Sequence, residues 1–365
     1  MRVPTTDPLA IAEALLSLPT VPFIEDLPAR YCLDFAAERG LAAHRDAAGN
    51  VVVRSGDGPA PLVLVAHLDH PGFVIDTVEG DLATMTFRGG LRPVGDIAGT
   101  PVDVFRVGEP ARRGRAELVT AVLRENGALE GATATLVDGS AEAGDFAMWG
   151  FPGWSIEDGK VTARLCDDLL GVAAALACLD QVREPAMPVW GLFTRAEEDG
   201  LLGAFEAARL GTVPRDALVV SLECSKALPE APQGAGVIVR VGDLRSVFDN
   251  DVTDALRVAA ERAGVTHRRK LMDGGTCEAT VFTALGWRAG ALAVPLGNYH
   301  NAADTGEGIA PETVLVDDWL AEVDLLVALA RDGLPATVDG LPPALAERAD
   351  RARELLSTDE TPARA

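Results

Sequence analysis

Two glutamates, Glu197 and Glu198, stand side by side in FTRAEEDG, just after the apolar run PVWGLF. On an extended segment neighbouring side chains point to opposite sides, so such a pair can serve two tasks in one cleft. Taken alone, the pair reads as a solvated loop. Other apolar runs also end in polar groups, however: His67 and Asp69 in VLVAHLDH, Glu223 in LVVSLECS and His300 in LAVPLGNYH. Asp167 and Asp168 in ARLCDDLLG add a further group where a helix should begin. Imidazoles and carboxylates are ligands of divalent cations, zinc first among them. Each residue has an ordinary explanation by itself, as a hydrogen-bonded histidine, an N-cap or an exposed end charge. Their recurrence at successive strand ends is what points to a metal site.

The elements that must position these groups follow an α/β rhythm. LAIAEALLSLP and LPARYCLDFAAERG show helical spacing, the second closed by Gly40, and GNVVVRSGDG and PLVLVAHLDH read as strands. From about Gly72 to Trp154 the chain breaks into short β-like pieces with many glycines, which suggests a small inserted barrel or sandwich. Then the rhythm resumes: helix DDLLGVAAALACLDQV, strand MPVWGLFT, helix GLLGAFEAARLG, strand DALVVSLECS, and later strand AGALAVPLG and helix VDDWLAEVDLLVALARDG. The expected fold is α/β, a mixed sheet sandwiched by helices with an inserted β-rich lid. Its parts are a first catalytic segment over residues 1–72, a barrel-like lid over 73–154, a second catalytic segment over 155–334, and a C-terminal extension over 335–365. That extension begins with a proline-rich hinge and carries one amphipathic helical stretch. In an open α/β sheet the carboxyl ends of the strands form the ligand crevice, so the polar strand ends should meet there.

Composition narrows the function classes. The 365 residues are 48% hydrophobic and 24% charged, enough for one large core with an inserted module. A formal net charge of -23 argues against nucleic acid or an anionic membrane as main partner. No stretch approaches the roughly 20 uncharged apolar residues of a bilayer span, and the N-terminal stretch is unlike a signal peptide. The five cysteines are odd in number, widely spaced and free of CxxC, which fits a reducing compartment; the cytoplasm is the expected one.

The ordered series AHLD, a β-rich insertion, LCDD..G, FTRAEEDGLLGA, SLECS, DGGT and YHN resembles the glutamyl-aminopeptidase and tetrahedral-aminopeptidase family of co-catalytic dinuclear zinc metallopeptidases. FRGGLRPVGDIAGTPVDVF resembles that family's lid, and EAGDFAMWGFPGWSIEDGKVTARLCDDLLG its return from the lid into the metal site. The resemblance implies two divalent metal ions per subunit, zinc foremost, with cobalt or manganese also suitable. Asp167 would bridge them, His67 and Glu223 completing one site and Glu198 and His300 the other, while Glu197 stays off the metal as general base. Three carboxylates and two neutral imidazoles would bring about three negative charges to two dications, leaving the loaded site positive. Asp69 would accept the other imidazole N–H of His67 and hold its tautomer. Gly274, Gly275 and Thr276 resemble the family's GGT turn at the cleft rim, and His70 is placed with them toward substrate. Asp168 is read as a helix cap outside the metal set. Homo-oligomers are implied as well.

Some positions depart from the family pattern. His70 and Leu169 stand where it usually has Glu and Arg, and Glu223 where it usually has Asp. Glutamate at that last position resembles the aminoacylase and carboxypeptidase branch of the same clan. The expected activity is therefore cleavage of an amide bond, foremost removal of an N-terminal residue from short peptides. Deacylation of an N-acyl amino acid, or carboxypeptidase-like cleavage, is the alternative on the same site. A catalytically silent binding or assembly protein is a third reading, against which every proposed ligand position holds a ligand-competent side chain.

Overall fold

Four apolar runs form the middle of a nine-stranded mixed sheet in the computed structural model, which describes residues 5–93, 95–182, 184–333 and 343–356. In sheet order they are Val189–Thr194, Leu62–His67, Leu218–Ser221 and Arg288–Leu296, each parallel to its neighbour. Apart from Arg288 every residue in them is buried, because helices cover both faces. Alternation along one strand shows the two layers. Leu62, Leu64 and Ala66 enter the core built with helix Leu169–Gln181, whereas Val63 and Val65 enter the one built with helices Leu202–Leu210 and Glu278–Ala284. Helix Leu169–Gln181 is itself covered by Pro8–Leu16 and Val316–Asp332, which explains why its sequence is apolar nearly all round. The mixed α/β sandwich read from the sequence is the architecture found.

Flanking strands complete the sheet. Val51–Arg54 and then Ala42–Arg45 add on one side, Val237–Asp243 and then His267–Met272 on the other, and the short Cys224–Lys226 pairs with the end of Arg288–Leu296 as the ninth. Sequence reading left Ala42–Arg45, Val237–Asp243 and His267–Met272 unassigned. The outermost two are short edge strands with polar, partly exposed residues, so they lack a burial pattern. Helix Asp26–Arg39 ends at Gly40, whose φ of 67° is the left-handed cap expected there.

The chain leaves the sheet just after His67 and builds a closed barrel from Gly72–Glu79, Leu82–Arg88, Pro101–Phe105, Arg112–Leu123, Leu129–Gly139 and Phe146–Trp149. Closure removes free strand edges from a small module, and Phe73 packs edge-on against Phe87 and Trp149 at its centre, 4.9 and 5.2 Å between ring centroids. The chain returns through Ser155–Glu157 and Lys160–Ala163; the latter pairs with Glu312–Leu315, which brings a distant segment beside Asp167. Pro343–Leu356 is helical, and the expected hinge at 334–342 lies outside the described residues. No helix among the described residues is long and apolar enough to cross a membrane.

Candidate metal centre

Each of the four parallel strands ends at a candidate group. His67 closes Leu62–His67, and Glu197 and Glu198 follow Val189–Thr194 after Arg195 and Ala196. Glu223 follows Leu218–Ser221 after Leu222, and His300 lies just past the end of Arg288–Leu296. Parallel neighbours end on the same side of the sheet, so these groups share one crevice. Asp167 enters it from the connection out of the lid, at a cis Asp167–Asp168 peptide bond.

His67 Nε2 lies 3.5 Å from Asp167 Oδ1, and His300 Nε2 lies 3.6 Å from Asp167 Oδ2 and 3.1 Å from Glu198 Oε1. Among the described residues, groups of three whose ligand atoms lie within 4.8 Å of one another include His67 with Asp167 and Glu223, Asp167 with Glu198 and His300, and His67 with Glu197 and Glu198. Asp167 is common to the first two. The buried oxygens Asp167 Oδ1, Glu198 Oε1 and Glu223 Oε1 have no hydrogen-bond partner among the described residues. A buried carboxylate oxygen without a hydrogen bond is costly to keep, and a divalent cation in each of those two groups would satisfy these atoms. The residues therefore fit divalent cations, and an oxygen and imidazole donor set suits zinc, cobalt and manganese. Asp167, Asp168 and Cys224 also cluster, but the Asp168 carboxylate already accepts the Gly171 N–H at 3.2 Å as a helix cap and the His67 N–H at 3.4 Å.

Backbone carbonyls aim both imidazoles. Nδ1–H of His67 donates to the Asp69 carbonyl at 3.0 Å, and Nδ1–H of His300 donates to the carbonyl of Gly90 in the lid, so each Nε2 faces the carboxylates. This corrects the expected task of Asp69, whose carboxylate stands 3.9 Å from His67 Nδ1 and instead accepts the backbone N–H groups of Glu197 at 2.9 Å and Glu198 at 3.1 Å. Beyond the strand end, the chain turns so that main chain and side chain exchange roles. His70 is a second correction. Its ring is fully buried, with Nδ1 2.7 Å from the Asp167 carbonyl and Nε2 3.0 Å from Asn301 Oδ1.

Several buried residues around the centre were not singled out from the sequence. The Glu312 carboxylate takes N–H groups from Cys166, Asp167 and His300. Glu25 accepts from Arg195 Nε and Ala196 N, bracing the turn that carries the glutamate pair. Glu278 accepts the hydroxyls of Thr194 and Ser221 across two strands. Glu25 and Glu278 look like helix-start acids in the sequence, and Glu312 in PETVL carries no signal at all. Tyr299, beside His300 in the YHN motif, stacks on its ring at 3.8 Å between centroids.

Burial and crowding decide the charges. Burial raises Glu197 well above the usual carboxylate range, His67 opposes this, and Glu198, Glu223 and Glu278 reinforce it. Burial works against an ionised Asp167 too, but His300 and His67 outweigh it and hold this carboxyl below its usual range. Both imidazoles are raised: burial opposes their protonation, and Glu197 beside His67 and Glu198 beside His300 overcome it. The metal-free centre thus balances its carboxylates with protons, which bound cations would displace. Cys166 and Cys224 are raised by burial and neighbouring acids, so they remain thiols.

A cavity of about 360 Å³ opens beside Glu223, and Gly274, Gly275, Thr276, Tyr299 and Arg240 line it. Arg240 is buried, with a guanidinium nitrogen 3.9 Å from Glu223 Oε1.

The fold is one shared with aminopeptidases of known structure. An aminopeptidase from the archaeon Desulfurococcus kamchatkensis shares the fold with a TM-score of 0.77 at 20% identity, over 90% of this chain and 95% of that one. The TET1 peptidase of Pyrococcus horikoshii, described as assembling into a tetrahedron or a large octahedral shell, gives 0.72 at 20% identity, over 89% and 100%. Residues 136–307 match the sequence model of the M42 glutamyl aminopeptidase family. A protein of Acetivibrio thermocellus named "Putative aminopeptidase" is 25% identical over 157 residues, 41% of this chain, and the match spans 47% of that relative's length. The resemblance to the glutamyl- and tetrahedral-aminopeptidase family read from the motifs is borne out.

Proposed function

We propose that this chain is a dinuclear metal aminopeptidase acting on short peptides. The observation that carries this reading is the pair of ligand groups sharing Asp167, with Glu197 a member of neither but close beside them, its Oε2 3.9 Å from His67 Nε2. Two cations bound there would supply Lewis acidity to a substrate carbonyl and to water. Glu197 is the proton carrier: it takes a proton from the attacking water and delivers it to the leaving amine. Asp69 fixes that glutamate through its backbone N–H, and the same carboxylate fixes Glu198, so base and ligand keep a constant offset. Gly274, Gly275 and Thr276 form the wall beside which the substrate lies. His67, Asp167, Glu198, Glu223 and His300 hold the metal in this reading, zinc first. Like the TET1 peptidase, the chain is expected to form homo-oligomers.

Glutamate rather than aspartate at Glu223, next to the buried Arg240, favours a second reading in which the substrate is an N-acyl amino acid. Metal analysis followed by a screen of peptides with free and blocked N-termini separates the two. The aminopeptidase reading expects turnover of the free-amine series only, with about two metal ions per chain; turnover restricted to the blocked series would overturn it.

A further inference from the structure

A second cavity, of about 730 Å³, opens on the His300 side of the centre, between lid residues 90–92 and the loop from Tyr299 to Gly306. Arg92 lines it from the lid, and Lys226, at the end of strand Cys224–Lys226, lies where it meets the cavity beside Glu223. Both are exposed, and neither has an ion pair among the described residues. Other arginines of the lid are occupied: Arg106, Arg112, Arg113 and Arg115 are each within 4.0 Å of a carboxylate, and Arg88 donates to the Pro22 carbonyl at 3.1 Å and lies over the Phe23 ring. Asp304, the acid lining the cavity, is engaged by the Asn298 N–H at 2.8 Å. In a chain of net charge -23, two unpaired cations at the mouth of a catalytic crevice favour a negatively charged occupant. The lid is also fixed against the centre here, since the Gly90 carbonyl accepts from His300, which leaves Arg92 only two residues, about 7 Å of chain, away.

We propose that this cavity is a leaving-side subsite in which Arg92 and Lys226 hold a carboxylate of the substrate. The proposal rests on the aminopeptidase reading. Removal of one N-terminal residue leaves the rest of the peptide beyond the scissile bond, and an anion so close to the centre belongs to the next one or two residues. Its source is the terminal carboxylate of a di- or tripeptide, or an acidic side chain in the leaving residue; the chemistry recognised is the same.

The test compares three tripeptides on the metal-loaded enzyme: one with a free C-terminus, the same peptide amidated, and the amide with an acidic second residue. Binding of each to Glu197→Gln protein by calorimetry gives a readout independent of turnover. A carboxylate from either source should improve kcat/KM and Kd by about tenfold or more over the neutral amide, mainly through KM. Arg92→Gln and Lys226→Gln should each shrink that ratio toward one, a comparison internal to each variant. Equal values for all three peptides in the unmodified protein, or a ratio unchanged in both variants, would overturn the subsite. Absence of turnover and of binding for all three would overturn the aminopeptidase reading, and the subsite with it.

Discussion

Glu312 Oε1 accepts the backbone N–H of His300 at 2.9 Å, while its Oε2 accepts those of Cys166 at 2.6 Å and Asp167 at 3.1 Å. One buried carboxylate therefore ties the segment carrying the shared aspartate to the segment carrying the last imidazole. Glutamine has nearly the same shape but a single acceptor oxygen, so Glu312→Gln must leave one of the two segments facing an NH2 group. Metal affinity measured by calorimetry should fall about 10- to 100-fold. Affinity equal to that of the unmodified protein would show that His300 and Asp167 hold their places without this link.

Glu197 and Glu198 are adjacent yet differ in task, which makes a paired substitution informative. Glu197→Gln should retain its metal and lose about 10²–10⁴-fold in kcat, the usual worth of a positioned general base. Glu198→Gln should instead bind less metal, because its Oε1 belongs to the group with Asp167 and His300. Full activity in Glu197→Gln, or identical metal loss in both variants, would contradict the division.

Chelation should lower thermal stability. Without cations, the crowded carboxylates Glu197, Glu223 and Asp168 are all held above their usual range by burial and by neighbouring acids, Glu278 among them. Cations bound at 100 times their Kd would stabilise the fold by about 2.7 kcal/mol per site, so the melting temperature should drop by several degrees on complete removal and recover on adding zinc back. An unchanged melting curve after verified chelation would count against metal binding at this place.

Glu322 offers a pH test away from the centre. It is fully buried in helix Val316–Asp332, neither carboxylate oxygen has a hydrogen-bond partner among the described residues, and burial pushes its carboxyl up to about 8 from 4.5. A folded-state value above the unfolded one means that the folded chain binds the proton more tightly. Its stabilising contribution is complete below pH 4.5 and is lost as the pH rises toward 8. Glu322→Gln should therefore match the unmodified protein most closely near pH 5 and exceed it in stability by up to a few kcal/mol near pH 9. A stability difference that does not change with pH would show that this carboxyl titrates alike in the folded and unfolded chain.

How much was legible depends on the kind of signal each residue leaves. His67, Glu197, Glu198, Glu223 and His300 stand at or just past the ends of buried parallel strands, and an apolar run followed by a polar group is visible in one dimension. Glu312, Arg240 and Glu278 are isolated polar residues whose partners are remote in the chain. Their buried state follows from what packs over them, which no local pattern records. Asp69 and His70 lie between these cases. Their position next to His67 marked them, but beyond a strand end the alternation of side chains no longer holds, and the direction of each was misjudged.

The sequence by itself determined the α/β layering, the insertion of a β-rich module after His67, and the set of metal-competent side chains, because these depend on short-range periodicity and on chemical type. Tertiary structure alone decided that the module closes as a barrel, that Asp167 stands between two clusters of metal-competent side chains, and that Gly90 of the lid aims His300. Those are contacts between segments separated by up to 210 residues. They arise only when the whole chain has packed, since burial and hydrogen-bond direction are properties of the assembled core rather than of any stretch within it.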